Sequence, residues 1–564
     1  TIVFATLFSL FVSFTLTPML ASRLFRLGLK IPDKPIWHKM DAIEESARNH
    51  YTSILTWSLD HAKNLVIPVL VLFIAAAALI PTGLVGSEFM PQTDESSFRI
   101  TVELPTNANL TRTDKVARQL EDYLKTVPEV TYYTSMIGGK SLNQANIQVT
   151  LKDRRDRSRT IWQVTNDVRR FAADHIYDGD VRVKEAQASV SGTTGGFGGG
   201  SGNLRLELRG KDSEALLAQS RAIEQMMKTD IAGLRDISSS YQDGMPEYQL
   251  VVDRNKLKQY GTSLSDLNDT FSNAISGQKA GVLANDAKND NNDTDIYVRL
   301  KGADAFRLSD LETIPLNANG HIIYIADVAK VQAGTGPVTI RRTDKERSIT
   351  LGGSPQGRPL NEVIQDVANH LNAMDLHGVT FRFTGQADQM TTTFTDLGEA
   401  LLLSLILIFM ILAILYESVK TPFIRMFSLP LGLIGSLFLL FLTNNTLNLY
   451  SLIGILVMDG LVAKNGTLLL DYTLTLMHEQ GLDPRSAVIQ AGRVRLRPIF
   501  MTTLTMVVGM LPTALSMTAG AETRASMAVV VIGGLLTSTV FTLVIIPILF
   551  VFMEKHSLFR RKSA

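Results

Sequence analysis

Seven stretches of the chain are apolar and long enough to cross a bilayer, and a long polar block separates the second from the third. The stretches run from Thr1 to Leu27, Leu65 to Val85, Leu397 to Tyr416, Phe423 to Leu442, Leu449 to Tyr472, Ile499 to Met517 and Ser526 to Met553. An odd number puts the two ends on opposite sides. Basic residues follow the first stretch (Arg23, Arg26, Lys30, Lys34, Lys39), fill the gap before the sixth (Arg485, Arg493, Arg495, Arg497) and follow the last (Lys555, Arg560, Arg561, Lys562). The positive-inside rule makes all three clusters cytoplasmic, and one alternating path satisfies them together. That path leaves the block from Gly86 to Met390 outside the cytoplasm. Between the first two stretches, Ile43, Ala47, Tyr51, Ile54, Leu55 and Leu59 recur at helical spacing among charges. A helix lying on the cytoplasmic membrane face and a packed connector helix both fit that pattern.

The pattern divides the chain into a membrane helix (1–27), a cytoplasmic linker with an amphipathic helix (28–64), a membrane helix (65–85), an outer domain (86–390), a five-helix membrane region (391–555) and a basic tail (556–564). The outer block changes period. FRITVEL at Phe98 to Leu104 alternates as a strand, Thr111 to Val127 reads as an amphipathic helix, and Thr131 to Ile137 is strand-like again. NQANIQVTL, Arg159 to His175 and DVRVKEA repeat that order. So do NLRLELRG with Ser213 to Lys228, and ITLGGSP with Leu360 to Met374 and VTFRFTG. The economical reading is a set of split, ferredoxin-like βαβ units, with Ser191 to Gly202, SGTTGGFGGGSG, as a flexible loop between two of them. The predicted fold class is therefore a membrane all-α bundle of seven transmembrane helices carrying a large α+β periplasmic domain of such units.

One membrane stretch breaks its own pattern. Ser451 to Tyr472, SLIGILVMDGLVAKNGTLLLDY, carries Lys464 and Asn465 near its middle, with Asp459 before them and Asp471 after. A charge at that depth is costly, so it marks an ion or proton path more often than a static polar contact. At 3.6 residues per turn Lys464 and Asp471 share a stripe, and Asp459 lies roughly 140° away from it. A lone lysine paired with a neighbouring carboxylate as structural glue is the plainer alternative.

Composition narrows the chemistry. The 564 residues carry a net charge of +1, which gives no reason to expect a nucleic-acid partner. There is no cysteine, so disulfides, thiolate catalysis and Cys-ligated metals are excluded. The nine histidines are scattered without HExxH or paired spacing, so no metal site on imidazole is expected. Gly139-Lys140-Ser141 is only the tail of a phosphate loop, because Thr134 stands where its leading glycine belongs. No GxSxG elbow or acid pair is placed for hydrolysis. No cofactor is expected, and whatever energy drives the protein is expected to come from outside a soluble catalytic site, with the intramembrane charges as the best candidate. Thr1 already sits inside an apolar run, unlike a signal peptide, and the chain reads as cut. ATLFSLFVSFTLTPMLAS (Ala5 to Ser22) lies weakly on GLLTSTVFTLVIIPILF (Gly534 to Phe550), Pro18 over Pro547 and Ser9 over Ser538, as the closing spans of two parallel halves would.

Four segments in order carry a family resemblance: YQLVVDRNKLKQYGTSLSDL (Tyr248 to Leu267), ILYESVKTPF (Ile414 to Phe423), GLVAKNGTLLLDY (Gly460 to Tyr472) and RVRLRPIFMTTLTMVVGMLPTAL (Arg493 to Leu515). Together they resemble the permease subunit of resistance-nodulation-division (RND) exporters of the multidrug or amphiphile type. The likeness covers the whole chain, as the second half of such a permease preceded by the last span of its first half. It implies a homotrimer in the lipid of the bacterial inner membrane, multi-pass, exchanging protons for small amphiphilic substrates with a periplasmic adaptor protein and an outer-membrane channel. The resemblance likewise implies a secondary active transporter rather than an enzyme, so no catalytic residues are expected. Position by position, the resemblance implies that Lys464 is the relay lysine, Asn465 the asparagine beside it, Thr502 the threonine completing the relay and Arg495 the arginine at that span's cytoplasmic entrance. An ammonium against carboxylates keeps them ionised; protonating one releases the lysine and lets the helices repack.

The departures matter too. The family's adjacent aspartate pair lies on a first-half span outside this chain, so the missing N-terminal half is itself an expected partner. Asp459 has no counterpart in the pattern; a counter-ion for Lys464, a residue at a wet face and a direct part in the proton relay are all open readings. The outer stretch TYYTSMIGGKS, with Thr134, Met136 and Gly138 where the family's Phe-bearing switch loop begins, holds no Phe. Tyr132, Tyr133 and Met136 are candidates to line a substrate pocket, or ordinary strand residues of a core. The alternatives to drug export are a metal-ion exporter of the same superfamily, which would need clustered Met or carboxylates (Met90, Met136, Met226, Met227 and Met245 do not show such spacing), and a non-transporting remnant or translocation-assisting relative.

Overall fold

The computed structural model describes residues 2–26, 35–105, 107–139, 141–186, 203–241, 244–283, 294–303, 306–336, 339–516 and 521–562. The expected loop Ser191 to Gly202 lies outside the described residues, as do Lys30, Lys34 and Lys140 and the side chains of the basic tail. The chain folds as two compact units, one gathering Thr1–Val85, Phe394–Leu515 and Arg524–Ala564, the other Gly86–Thr393 with Ser516–Thr523.

The first unit is helical and begins with α1 (Ile2–Arg26), α2 (Pro35–Asp60) and α3 (Ala62–Ala78). α2 and α3 meet at a sharp bend of 94°. α3 stops at Ala78 because Pro81 and Gly83, the latter at φ 76°, turn the chain before Val85.

The second unit follows. Its first sheet comes from β1 (Ser97–Glu103), α4 (Leu110–Thr126), β2 (Val130–Ile137), β3 (Gln144–Leu151), α5 (Ile161–His175) and β4 (Asp180–Glu185), with strands in the order β2-β3-β1-β4, all antiparallel. Period-2 burial drives it: Phe98, Ile100 and Val102 of β1 and Ala145, Ile147 and Val149 of β3 are fully buried and pack on Val116, Leu120 and Leu124 of α4. The second sheet starts with β5 (Leu204–Gly210), α6 (Ser213–Thr229) and β6 (Leu234–Ser239). A separate lobe then intervenes, made of β7 (Met245–Val252), α7 (Arg254–Tyr260), α8 (Leu264–Ser276), β8 (Gln278–Leu283), β9 (Thr294–Val298), α9 (Leu308–Glu312), β10 (Pro315–Ala318), β11 (His321–Tyr324), α10 (Ile325–Val328) and β12 (Ala329–Gly336). It has its own core around Leu257, Leu267, Ile314 and Val328. The sheet resumes with β13 (Arg342–Thr343), β14 (Glu346–Pro355), α11 (Leu360–Ala373) and β15 (Thr380–Gly385). β6 pairs with β14, β14 with β5 and β5 with β15, so this sheet repeats the strand order of the first around the inserted lobe.

The chain returns to the helical unit through α12 (Gln386–Tyr416), α13 (Lys420–Met426), α14 (Ser428–Leu442), α15 (Leu449–Gln480), α16 (Pro484–Ala514) and α17 (Glu522–Lys562). Among the described residues five helices are long and apolar enough to cross a membrane, with α13 and α14 acting as one. Of the seven expected spans, the first is a shorter apolar helix, Leu7–Arg23, and the second is the 17-residue arm of the bent pair. α14 and α17 cross backbone to backbone at Gly435 and Gly533, where a Cβ on either would run into the other's carbonyl oxygen. α2 docks on the bundle: Leu55 is fully buried among Ile499, Ile546 and Phe550, and the Tyr51 hydroxyl donates to the Leu543 carbonyl at 2.9 Å. Its acidic side chains meet the arginines of α16, Asp60 with Arg485 (2.7 Å), Glu45 with Arg493 (2.5 Å) and Glu44 with Arg497 (2.9 Å). The packed connector, one of the two open readings of this segment, describes these contacts.

Candidate functional site

α15 presents the intramembrane polar residues. Its start is fixed by Asn448, whose side chain accepts from the amides of Tyr450 and Ser451 at 3.0 Å while the Ser451 hydroxyl accepts from the Asn448 amide at 2.7 Å. Its end is fixed by Gly481 in the left-handed conformation, φ 65°. Between these caps lie 32 residues, about 48 Å of helix at 1.5 Å per residue.

Lys464 points out of the bundle and is exposed, as are Gly460 and Asp471 on the same side. No carboxylate among the described residues lies within ion-pair distance of its ammonium. Asn465, one residue on, is 1% exposed and turned inward. Its amide nitrogen donates to Thr503 of α16 at 3.4 Å and Thr539 of α17 at 3.2 Å, and those two hydroxyls lie 2.9 Å apart. Three helices are thereby joined at one buried polar node. Asn465 Oδ1 and Thr542 Oγ1, also buried, have no protein hydrogen-bond partner.

Thr502 does not join that node. Its hydroxyl donates to the Ile499 carbonyl of its own helix at 3.0 Å. Arg495 also lies apart from Lys464, its guanidinium stacked over the Tyr472 ring 4.9 Å from the centroid. Asp459 is 2% exposed; Oδ2 accepts from Ser404 of α12 at 3.3 Å, and Oδ1 has no partner. Thr503, Thr539 and Arg425 were not singled out by the sequence. The signal for Arg425 was available, a lone guanidinium inside the apolar stretch Phe423 to Leu442. Thr503 and Thr539 look like any hydroxyl in a packed span.

In the outer unit the three pocket candidates separate. β2 is an edge strand, so its alternation throws Tyr132 and Met136 to one open face, 62% and 63% exposed, while Tyr133 on the other face packs against the core of the first sheet. The described cavity of this unit is elsewhere, between β4 and β6, lined by Trp162, Arg169, Lys184, Arg235 and Asp236 among others. Its free volume is about 20 Å³, room for a water molecule rather than an amphiphile. Asp236, at φ 52°, sends its carboxylate across the gap, accepting from Arg169 at 3.1 Å and from the Val183 amide of β4 at 3.4 Å. Burial pushes Asp236 above the usual carboxylate range despite Arg169, and pushes the Lys184 ammonium down.

The sequence matches the AcrB/AcrD/AcrF family over residues 1–554. It is 27% identical over 574 residues to the swarming motility protein SwrC of Bacillus subtilis (strain 168), an alignment that takes in 100% of this chain and 52% of that protein. The fold is similar to two crystal forms of a heavy metal efflux pump, each with a TM-score of 0.74 and 22% identity over 90% of this chain, covering 52% and 51% of the solved chains. The chain spans about half the length of the relatives it matches.

Proposed function

The chain belongs to the AcrB/AcrD/AcrF family of RND permeases, multi-pass transporters of the bacterial inner membrane, and on that premise we propose that it forms part of a proton-driven exporter of drugs or other amphiphilic compounds. The observation that carries the reading is the split between two neighbours on α15. Lys464 offers a charge on an open face of the bundle, where lipid would not solvate it. Asn465 beside it is locked into Thr503 and Thr539.

The aspartate pair of the RND pattern supplies the carboxylates that Lys464 faces, from a segment outside this chain. A proton on one of them releases the ammonium, and the shift passes through Asn465 into α16 and α17 as one body. Thr502 and Arg495 flank that path on α16 as the hydroxyl and the fixed cation of the relay. The outer unit carries the substrate and meets the adaptor protein and the outer-membrane channel, in a homotrimer. Its two sheets with a common strand order support the finer reading of ferredoxin-like units. Tyr132 and Met136, open on one face, are the contacts available to an amphiphile.

Dye accumulation in efflux-deficient cells expressing the complete assembly tests this. The assembly lowers dye, an uncoupler abolishes the effect, and Lys464→Ala abolishes it while expression stays normal. Export that survives Lys464→Ala overturns the relay. Metal-ion export is the second reading, favoured by the likeness to the heavy metal efflux pump structures. Growth in graded metal salts separates the two.

A further inference from the structure

Asp459 does not meet Lys464. It is five residues before it on α15, on a buried side of the helix, and the charged group it faces is Arg425 of α13. Arg425 is 7% exposed, and its guanidinium donates to the carbonyl oxygen of Ala463, through Nε at 2.6 Å and also through an Nη. The same carbonyl accepts from the Thr467 hydroxyl at 2.8 Å. Ala463 is one helical turn beyond Asp459, so the guanidinium and the carboxylate lie on neighbouring turns of one face. They act on each other electrostatically without forming an ion pair. Asp459 Oδ1, buried and without a partner, is left on the side of an uncommitted carboxylate.

We propose that Asp459 and Arg425 form a second intramembrane proton site, apart from Lys464, in which Arg425 exchanges the Ala463 carbonyl for the Asp459 carboxylate when the proton leaves. The guanidinium is a permanent cation, so only the carboxyl changes charge. The arrangement seen here, Arg425 resting on the Ala463 carbonyl, is the one assigned to the neutral state, with the proton on Oδ1 of Asp459. When that proton passes to water, an anion with a free oxygen stands one turn from a buried cation, and pairing them moves α13 along α15. Nothing is oxidised or reduced. Another ionisable group faces this site from α12, where Tyr416 acts on Arg425 and is itself acted on by Asp471, whereas Lys464 of α15 is exposed on the other side of that helix. α14 carries no charged residue. The inference rests on the proton-coupled reading, but its test needs no transport.

The test is pH-difference infrared spectroscopy of the purified chain in phosphatidylcholine nanodiscs, following the carbonyl stretch of a protonated carboxylic acid. A band that disappears with rising pH is expected; Asp459→Asn removes it, Asp459→Glu keeps it at a changed frequency, Lys464→Ala leaves it, and Arg425→Gln shifts its midpoint along the pH axis. Should Asp459→Asn fail to fold, the double change Arg425→Gln with Asp459→Asn removes both charges and must remove the band as well. A band that persists without Asp459, or that ignores Arg425→Gln, overturns the proposal. Dye efflux in Lys464→Ala reports on the other reading independently.

Discussion

The amide nitrogen of Asn465 lies 3.2 Å from the hydroxyl of Thr539, and this contact ties α15 to α17 at the depth of the exposed Lys464. A hydrogen bond of this kind is worth about 1 kcal/mol net, but stranding a buried partner costs about 1–3 kcal/mol. The node therefore matters most through what its loss leaves unsatisfied.

Thr503→Val and Thr502→Val separate structure from transport. The first strips the node and is expected to lower the stability of the detergent-solubilised chain by about 1–2 kcal/mol. The second removes only a bond to the Ile499 carbonyl, which its own helix already satisfies, so the melting temperature stays put. Dye efflux by the complete assembly falls in Thr502→Val if that hydroxyl serves the relay. Thermal melts and efflux run on both variants check the pair.

Docking of α2 is expected to depend on Leu55 more than on its three ion pairs. Leu55 is fully buried, and Leu55→Ala should cost about 2–5 kcal/mol. The pairs through Arg485 and Arg493 have both side chains about half exposed, and pairs of that kind contribute about 0.2–1 kcal/mol each. Limited proteolysis of α2 in Leu55→Ala, against Arg493→Gln, decides between them. Cleavage that is equally fast in both contradicts the ranking.

Gly435→Val forces a branched side chain into the Gly533 carbonyl and the Thr537 side chain. Overpacking of this sort costs about 1–3 kcal/mol, and two backbones in contact leave little to yield. The variant is expected to melt lower than Gly460→Val, whose Cβ meets open space. Paired melting curves read the difference.

Acid should loosen the first sheet of the outer unit at a defined place. Hydrogen bonding from the Arg159 guanidinium holds the Glu129 carboxyl below its ordinary range against its own burial. A carboxyl depressed in the folded state contributes stability that is present above its unfolded value and lost as pH falls through the folded one. Glu129→Gln should therefore destabilise at neutral pH and narrow its gap to the parent chain on acidification. Hydrogen exchange around β2 and α5 at several pH values checks both arms.

The periodicities carried most of the architecture. Strands such as Phe98 to Leu104 were legible because one face of each is buried and the other is not. The inserted lobe was harder, because splitting β6 from β14 interrupts a repeat that only strand pairing restores. Within the site, Lys464 and Asn465 stood out as polar groups where lipid forbids them. Their separation into an outward charge and an inward lock depends on which neighbours fill the 100° between consecutive helical positions, and a single sequence does not encode that. Thr503 carried no signal of its own: it neighbours Thr502, which the family pattern names, and only the packing shows that its hydroxyl meets Thr539.

The three ion pairs between α2 and α16 bear on how the protein is made. The positive-inside rule counts Arg485, Arg493 and Arg497 among the charges that would set orientation, and in the folded unit each is matched by an acid from a helix more than 400 residues earlier in the chain. On that reading the three arginines gain their acidic partners only when α16 packs on α2.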